Sequence, residues 1–249
     1  MKQIKLLFII FLFAGCTGHT YRVTDESMSG TLTNGQVLEL SKKTLINRGD
    51  IVFFRTDKNP KKQVETWLFR VIALSGDTLE IKNGNVMING SFEELPEKAR
   101  LLYSLYAKSS FTIKDFQENT IKLIGGDRYI ANLTKGEYSE ISKMQNINSI
   151  ERIIRSAGEL SKNIVRNSGN DIWNEDQFGP LLIPSPGAKI KINPINMGLY
   201  SDILSQMEPD STIMVKEKLY FLMGDNRYNA FDSRFIGLVT EANIIGVLK

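Results

Sequence analysis

Hydrophobic positions along the chain fall into short runs whose spacing changes character several times. The first, Leu6 to Ala14, is continuously apolar and follows Lys2 and Lys5. A bilayer core takes roughly 20 apolar residues, so this run matches the roughly 7–15 residues of a secretory h-region better than a stable span. Beyond it the runs are short, β-branched and aromatic: "YRV", "QVLEL" and "DIVFFR", set apart by Asn34-Gly35 and Gly49-Asp50. These read as strands. "TLEIKNGNVMING" places two such runs around Asn83-Gly84, a dipeptide that accepts the positive φ angles of a type I′ turn, and predicts a two-residue β-hairpin.

Between about Ser91 and Val215 the pattern shifts toward a helical period. "PEKARLLYSLYAK" puts Leu101, Leu102, Leu105 and Tyr106 on one helix face, and in "LTKGEYSEISKM" Thr134 and Glu137 stand at capping-box spacing. "NSIERIIRSAGEL" fits both periods: Ile150, Ile153, Ile154 and Ala157 suit a helix, while the β-branched content suits a strand. The prolines and glycines of "FGPLLIPSPG" call for an extended or looped connection. Strand patterns return in "KLYFLMGDNR", "FIGLV" and "NIIGVLK". The expected architecture is therefore mainly β. An N-terminal apolar anchor or signal covers 1–20, a β-rich antiparallel domain is built from 21–90 and 216–249, and a large α+β accessory insertion covers 91–215.

With 249 residues, 42% hydrophobic and 24% charged, the chain can bury a substantial core. The net charge of +3 is small, and no Lys/Arg run alternates with aromatics, which argues against nucleic acid as a partner. Cys16 is the only cysteine, so no intrachain disulfide is possible and the core alone must hold the fold. In "LFAGC" Cys16 resembles the lipidated cysteine of a bacterial lipoprotein lipobox, with Phe13 an imperfect fit. The other reading makes it an apolar residue near the end of a short retained anchor. Both leave Lys2 and Lys5 in the cytoplasm and the rest of the chain outside a bacterial cell membrane.

Four segments in order, "ESMSGTL", "RGDIVFF", "RVIALSGDTLEIKNGNVMING" and "MGDNRYNAFDSRFIGLV", resemble the boxes of bacterial type I signal peptidases (leader peptidases), serine peptidases of family S26. The resemblance implies an endopeptidase that removes signal peptides from exported preproteins, partnered by those preproteins and by membrane lipid, with no metal or nucleotide cofactor. It makes Ser27 the nucleophile, with Met28 beside it at the membrane-facing edge. Gly30 stands where a proline is usual, a departure expected to affect only the turn. Arg70 would pack nearby, Asp232 and Arg234 would brace the site, and Gly224, Asp225 and Asn226 would form the adjoining turn. Read without the resemblance, Ser27 is a turn hydroxyl, Asp232 and Arg234 an ordinary ion pair, His19 a solvent-exposed residue, and Trp67 and Trp173 packing residues.

One position disagrees with the family. Its serine is activated by a lysine directly before the arginine of "RVI", because a hydroxyl attacks only when a base takes its proton and a buried lysine has a lowered pKa. Here that position is Phe69. The nearest preceding lysine is Lys62, leaving Lys42, Lys43 or an insertion lysine as the remaining sources of an amine. Asp25, two residues before Ser27, would place a carboxylate where an oxyanion forms, and Ala230 lacks the small hydroxyl that several relatives hold against the lysine. Two main readings follow: a signal-peptide-removing enzyme strongly impaired by the missing base, or a non-catalytic relative that binds signal-peptide or membrane-protein segments. A lipid-anchored structural protein is a third.

Overall fold

A computed structural model describes residues 19–41, 45–56, 64–108, 120–204 and 211–248. The apolar N-terminal run, Cys16, Lys42, Lys43 and Lys62 lie outside the described residues. In chain order the strands are β1 (His19–Arg22), β2 (Val37–Ser41), β3 (Ile51–Thr56), β4 (Glu65–Leu74), β5 (Thr78–Lys82), β6 (Asn85–Ile88) and β7 (Ser91–Phe92). There follow β8 (Leu101–Ala107), β9 (Ile121–Gly125), β10 (Arg128–Leu133), β11 (Ile147–Arg152), β12 (Phe178–Leu182), β13 (Lys189–Lys191) and β14 (Thr212–Met214). Last come β15 (Leu219–Met223), β16 (Val239–Thr240) and β17 (Ile244–Leu248). Two short helices, α1 (Lys135–Ile141) and α2 (Ser233–Ile236), interrupt the β structure.

Both ends of the described chain meet in one seven-stranded sheet of order β1-β2-β17-β3-β4-β15-β16, with antiparallel neighbours throughout. Strand β15, between β4 and β16, is buried along its whole length. Leu219, Phe221 and Met223 face one core, shared with the β5–β6 hairpin and β12, while Tyr220 and Leu222 face a second that holds Phe54, Phe69 and Met28. A strand covered on both faces reads as a continuous apolar run, as "LYFLM" does. The β5–β6 hairpin turns through Asn83 (φ 49°) and Gly84 (φ 69°), the type I′ geometry expected from Asn-Gly.

A separate four-stranded sheet, β11-β8-β10-β9, encloses a third core with α1. Here the structure corrects the helical reading of "PEKARLLYSLYAK": residues 101–107 form β8, with Tyr103, Leu105 and Ala107 buried in alternation. Leu101, Leu102, Leu105 and Tyr106 satisfy either period, and pairing with β10 on one edge and β11 on the other decides for the strand. The ambiguous "NSIER" resolves as β11 for the same reason. "FIGLV" divides into the end of α2 and β16, separated by Gly237 at φ 84°, where a Cβ would lie 2.5 Å from the carbonyl of Leu199.

The expected capping box is formed. Thr134 Oγ1 accepts the Glu137 N–H at 3.3 Å, and Glu137 Oε2 accepts the Thr134 N–H at 2.7 Å. The same carboxylate receives both terminal nitrogens of Arg100 at 2.9 Å, and Arg100 is only 3% exposed. Its own backbone N–H donates to Asp225 O at 2.8 Å, joining this sheet to the loop after β15. Removing one partner of a buried ion pair is far more damaging than removing a cap. Glu137→Ala is therefore expected to destabilise the protein by about 3 kcal/mol and Thr134→Ala by only about 1 kcal/mol. Urea denaturation of the two variants checks this, and equal losses would contradict it.

Candidate active site

Ser27 sits in a run of tight turns between β1 and β2, and is 8% exposed. The first turn is set by Asp25, whose Oδ1 accepts the Ser27 N–H at 2.8 Å, the local side-chain turn that Asp-x-Ser favours. The same oxygen also accepts the Ser27 hydroxyl in a short hydrogen bond. The turn continues with Leu32 N–H donating to Met28 O at 2.9 Å. Gly30 lies at φ +94°, with a would-be Cβ 2.2 Å from Lys98 O. Gly30 is thus not interchangeable with proline here, contrary to the expectation of a departure confined to the turn, because proline fixes φ near −65°.

The loop between β15 and α2 holds this turn in place. Asn226 N–H donates to Ser27 O at 2.9 Å, and its Nδ2 donates to Glu26 O at 3.0 Å and Ser29 Oγ at 2.9 Å. Gly224 permits the approach, since a Cβ there would lie 2.6 Å from Ser27 O and 2.4 Å from Ala230 Cβ. Asp225 is fully buried and accepts Arg70 Nε at 2.9 Å, Arg70 Nη2 at 2.5 Å and Thr31 Oγ1 at 2.6 Å. Asp232 caps α2, accepts Gly224 N–H at 3.1 Å, and takes Arg234 Nε and Nη2 at 2.8 Å each. Burial disfavours the Arg234 charge, but Asp232, with Asp176 and Glu175, outweighs it and holds the guanidinium pKa above its ordinary value.

A cavity of about 240 Å³ opens beside the Ser27 side chain. Trp67, Phe69 and Phe231 form its apolar wall, and Asp25, Glu26 and Asn229 its polar side. Phe69 is 2% exposed, its ring centroid 5.6 Å from that of Phe54 and 5.7 Å from that of Trp67. Ala230 is buried in the same core. Among the described residues lining the cavity, the titratable side chains are Asp25 and Glu26, and none is lysine or histidine.

Ser27, Asp25 and Phe69 are thus brought to one cavity, with Ala230 packed behind Gly224. Arg70, Asp232 and Arg234 lie outside its lining and act on the loop. Met28 differs from expectation: it is 1% exposed and packs inside the core rather than at an exposed edge. Its thioether accepts the Asp225 N–H at 3.3 Å, and this apolar, soft acceptor suits a buried position. Sequence reading placed Asp25 as an opposing charge and missed its bond to the Ser27 hydroxyl, although the Asp-x-Ser spacing carries that signal. It also missed Arg100, which no local pattern marks.

An antiparallel β scaffold carrying a serine beside a cavity with one aromatic wall is what the fold and site define. The family model described as "Signal peptidase, peptidase S26" matches residues 2–147 and 185–249, and the chain belongs to that family. Signal peptidase I of Aquifex aeolicus (strain VF5) is 27% identical, the match covering 98% of this chain and 81% of that one. Signal peptidase I of Buchnera aphidicola subsp. Schizaphis graminum (strain Sg) is 25% identical over 96% of this chain and 69% of its own. The crystal structure of a signal peptidase I from Enterococcus faecalis V583 superimposes with a TM-score of 0.36 at 17% identity, covering 84% of this chain and 100% of that chain.

The geometry at Gly30 makes a direct prediction. Gly30→Pro is expected to lower stability by more than about 1 kcal/mol, read as a fall in the thermal midpoint. An unchanged or higher midpoint would contradict the φ assignment.

Proposed function

We propose that this chain is a membrane-anchored, outward-facing relative of signal peptidase I that engages the signal-peptide segments of exported preproteins at the Ser27 cavity and cleaves them very slowly or not at all. The observation that carries this reading is the surroundings of the Ser27 hydroxyl: its hydrogen goes to a carboxylate, and the wall facing it is the ring of Phe69.

A serine hydroxyl attacks a peptide carbonyl only as a base removes its proton, and a useful base has a pKa near the working pH. Asp25, which accepts the hydroxyl hydrogen, is a carboxylate and not the amine that activates the serine in the family. The position of the general base in the family resemblance is Phe69, which has nothing to titrate. Asp25 acts a second time by accepting the Ser27 N–H. A backbone N–H of this kind is what stabilises the oxyanion of an acyl-transfer intermediate, and here it faces a carboxylate that repels that charge. Loss of the base lowers rates by about 10²–10⁴ and loss of an oxyanion donor by about 10²–10³, not additively.

Binding does not need the base. The cavity and its aromatic wall are intact, so a signal-peptide segment laid as an added strand retains a pocket for a side chain beside Ser27. The supporting pairs Arg70–Asp225 and Asp232–Arg234 serve this binding scaffold as well as they would serve catalysis. Anchorage falls to residues 1–20, through a lipid on Cys16 or a retained apolar segment, and the intact mass of membrane-extracted protein separates the two.

A preprotein cleavage assay tests the main reading. Wild type is expected to turn over no faster than Ser27→Ala, whereas Phe69→Lys combined with Ala230→Ser and Asp25→Ser is expected to gain about 10² or more. Wild-type cleavage as fast as that of the restored variant and abolished by Ser27→Ala would contradict it.

A further inference from the structure

Two further cavities, of about 410 and about 290 Å³, share no lining residue with the Ser27 cavity. They adjoin each other through common walls that include Val86, Leu101, Arg152 and Arg227. Six arginines line one or both, and four of them are neutralised. Arg70 is held by Asp225, Arg234 by Asp232, Arg48 by Glu93 at 2.7 Å, and Arg155 by Glu159 at 2.7 Å and Glu175 at 2.9 Å.

The other two make no salt bridge among the described residues. Arg152 donates only to neutral acceptors, Asn85 Oδ1 at 3.0 Å and Gly84 O at 2.9 Å. Nε and Nη1 of Arg227 are buried and have no hydrogen-bond partner. The backbone of Arg227 is fixed, its N–H donating to Arg100 O at 3.1 Å and its carbonyl accepting Arg234 Nη2 at 2.7 Å. Among the remaining wall carboxylates, Asp176 accepts the Arg155 N–H through Oδ2 at 2.9 Å while its Oδ1 and the Arg152 guanidinium both lie beside Gly84, and Glu94 is exposed to water. Burial pushes the Arg227 guanidinium pKa down to about 10, with Arg234 and Arg70 acting in the same direction against Asp225 and Asp232.

Buried guanidinium nitrogens without a hydrogen-bond partner are costly and call for an explanation, and here they border a cavity that a ligand can fill. We propose that the space common to the two cavities binds a small carboxylate or phosphate anion bearing an apolar portion. The anion pairs with Arg227 and Arg152, and the apolar portion lies against Val86 and Leu101. The site is independent of whether Ser27 cleaves peptides.

The test uses the full chain, with inorganic phosphate, sodium hexanoate and neutral hexanamide as probes against sodium chloride at equal ionic strength. Thermal midpoint and titration calorimetry are the readouts. Hexanoate is expected to raise the wild-type midpoint and hexanamide to leave it unchanged. In Arg227→Met, association is expected to weaken about tenfold or more, while the variant without anion is at least as stable as wild type because Nε and Nη1 make no hydrogen bond that the substitution would remove. A rise with phosphate too makes the charge sufficient, and a rise with hexanoate alone makes the apolar wall essential. Either supports the site. The proposal is overturned if neither anion exceeds chloride, if Arg227→Met responds as wild type does, or if Arg227→Met is markedly less stable without anion, which would make Arg227 a structural residue.

Discussion

The buried carboxylate of Asp225 is the constraint on which the site depends. It joins strand β4 through Arg70, the Ser27 turn through Thr31, and the loop that carries Ala230 and Phe231. None of these stretches has a local reason to adopt the position it takes. An ionised carboxylate taken from water is tolerated only when its oxygens are fully occupied, and three donors from two distant segments do this. Asn226 then fixes the turn backbone, and Gly224 allows the chains to approach.

This bracing is separable from proton transfer. Every contact that positions Ser27 is made by groups other than a general base, so the turn, the cavity and the loop can persist whether or not an amine is present. The core also closes without one: Phe69 packs among Phe54 and Trp67, and Ala230 sits against the position that Gly224 leaves open. A lysine and a hydroxyl at these two sites would need each other as partners. Two apolar residues need none, and the serine hydroxyl bonds to Asp25.

Much of the scaffold was readable from local patterns. The β-branched and aromatic run of β3, the Asn83-Gly84 hairpin and the Thr134–Glu137 cap are short-range signals, and each formed as expected. Strand β8 was misread because Leu101, Leu102, Leu105 and Tyr106 suit both periods, and only pairing with β10 and β11 distinguishes them. At the site, the family resemblance marked Ser27, Asp25, Phe69 and Ala230, and the structure gathers them around one turn and cavity. It could not reveal that Arg70 reaches Asp225 across 155 positions or that Arg100 depends on Glu137, since such pairs exist only once the sheets assemble. The direction of the Asp25 carboxylate, toward the hydroxyl rather than merely near it, was likewise a matter of geometry.

The central claim is that the Ser27 hydroxyl lacks a competent proton acceptor. Acyl transfer from an activated ester tests this most directly, because it needs the nucleophile but no signal-peptide recognition. The p-nitrophenyl ester of a short alanine-terminated acyl peptide would be incubated with the protein from pH 5 to pH 10, and the adduct on Ser27 followed by intact mass. No acylation above that of Ser27→Ala is expected at any pH. A stoichiometric Ser27 adduct that rises with the deprotonation of an amine would contradict the account.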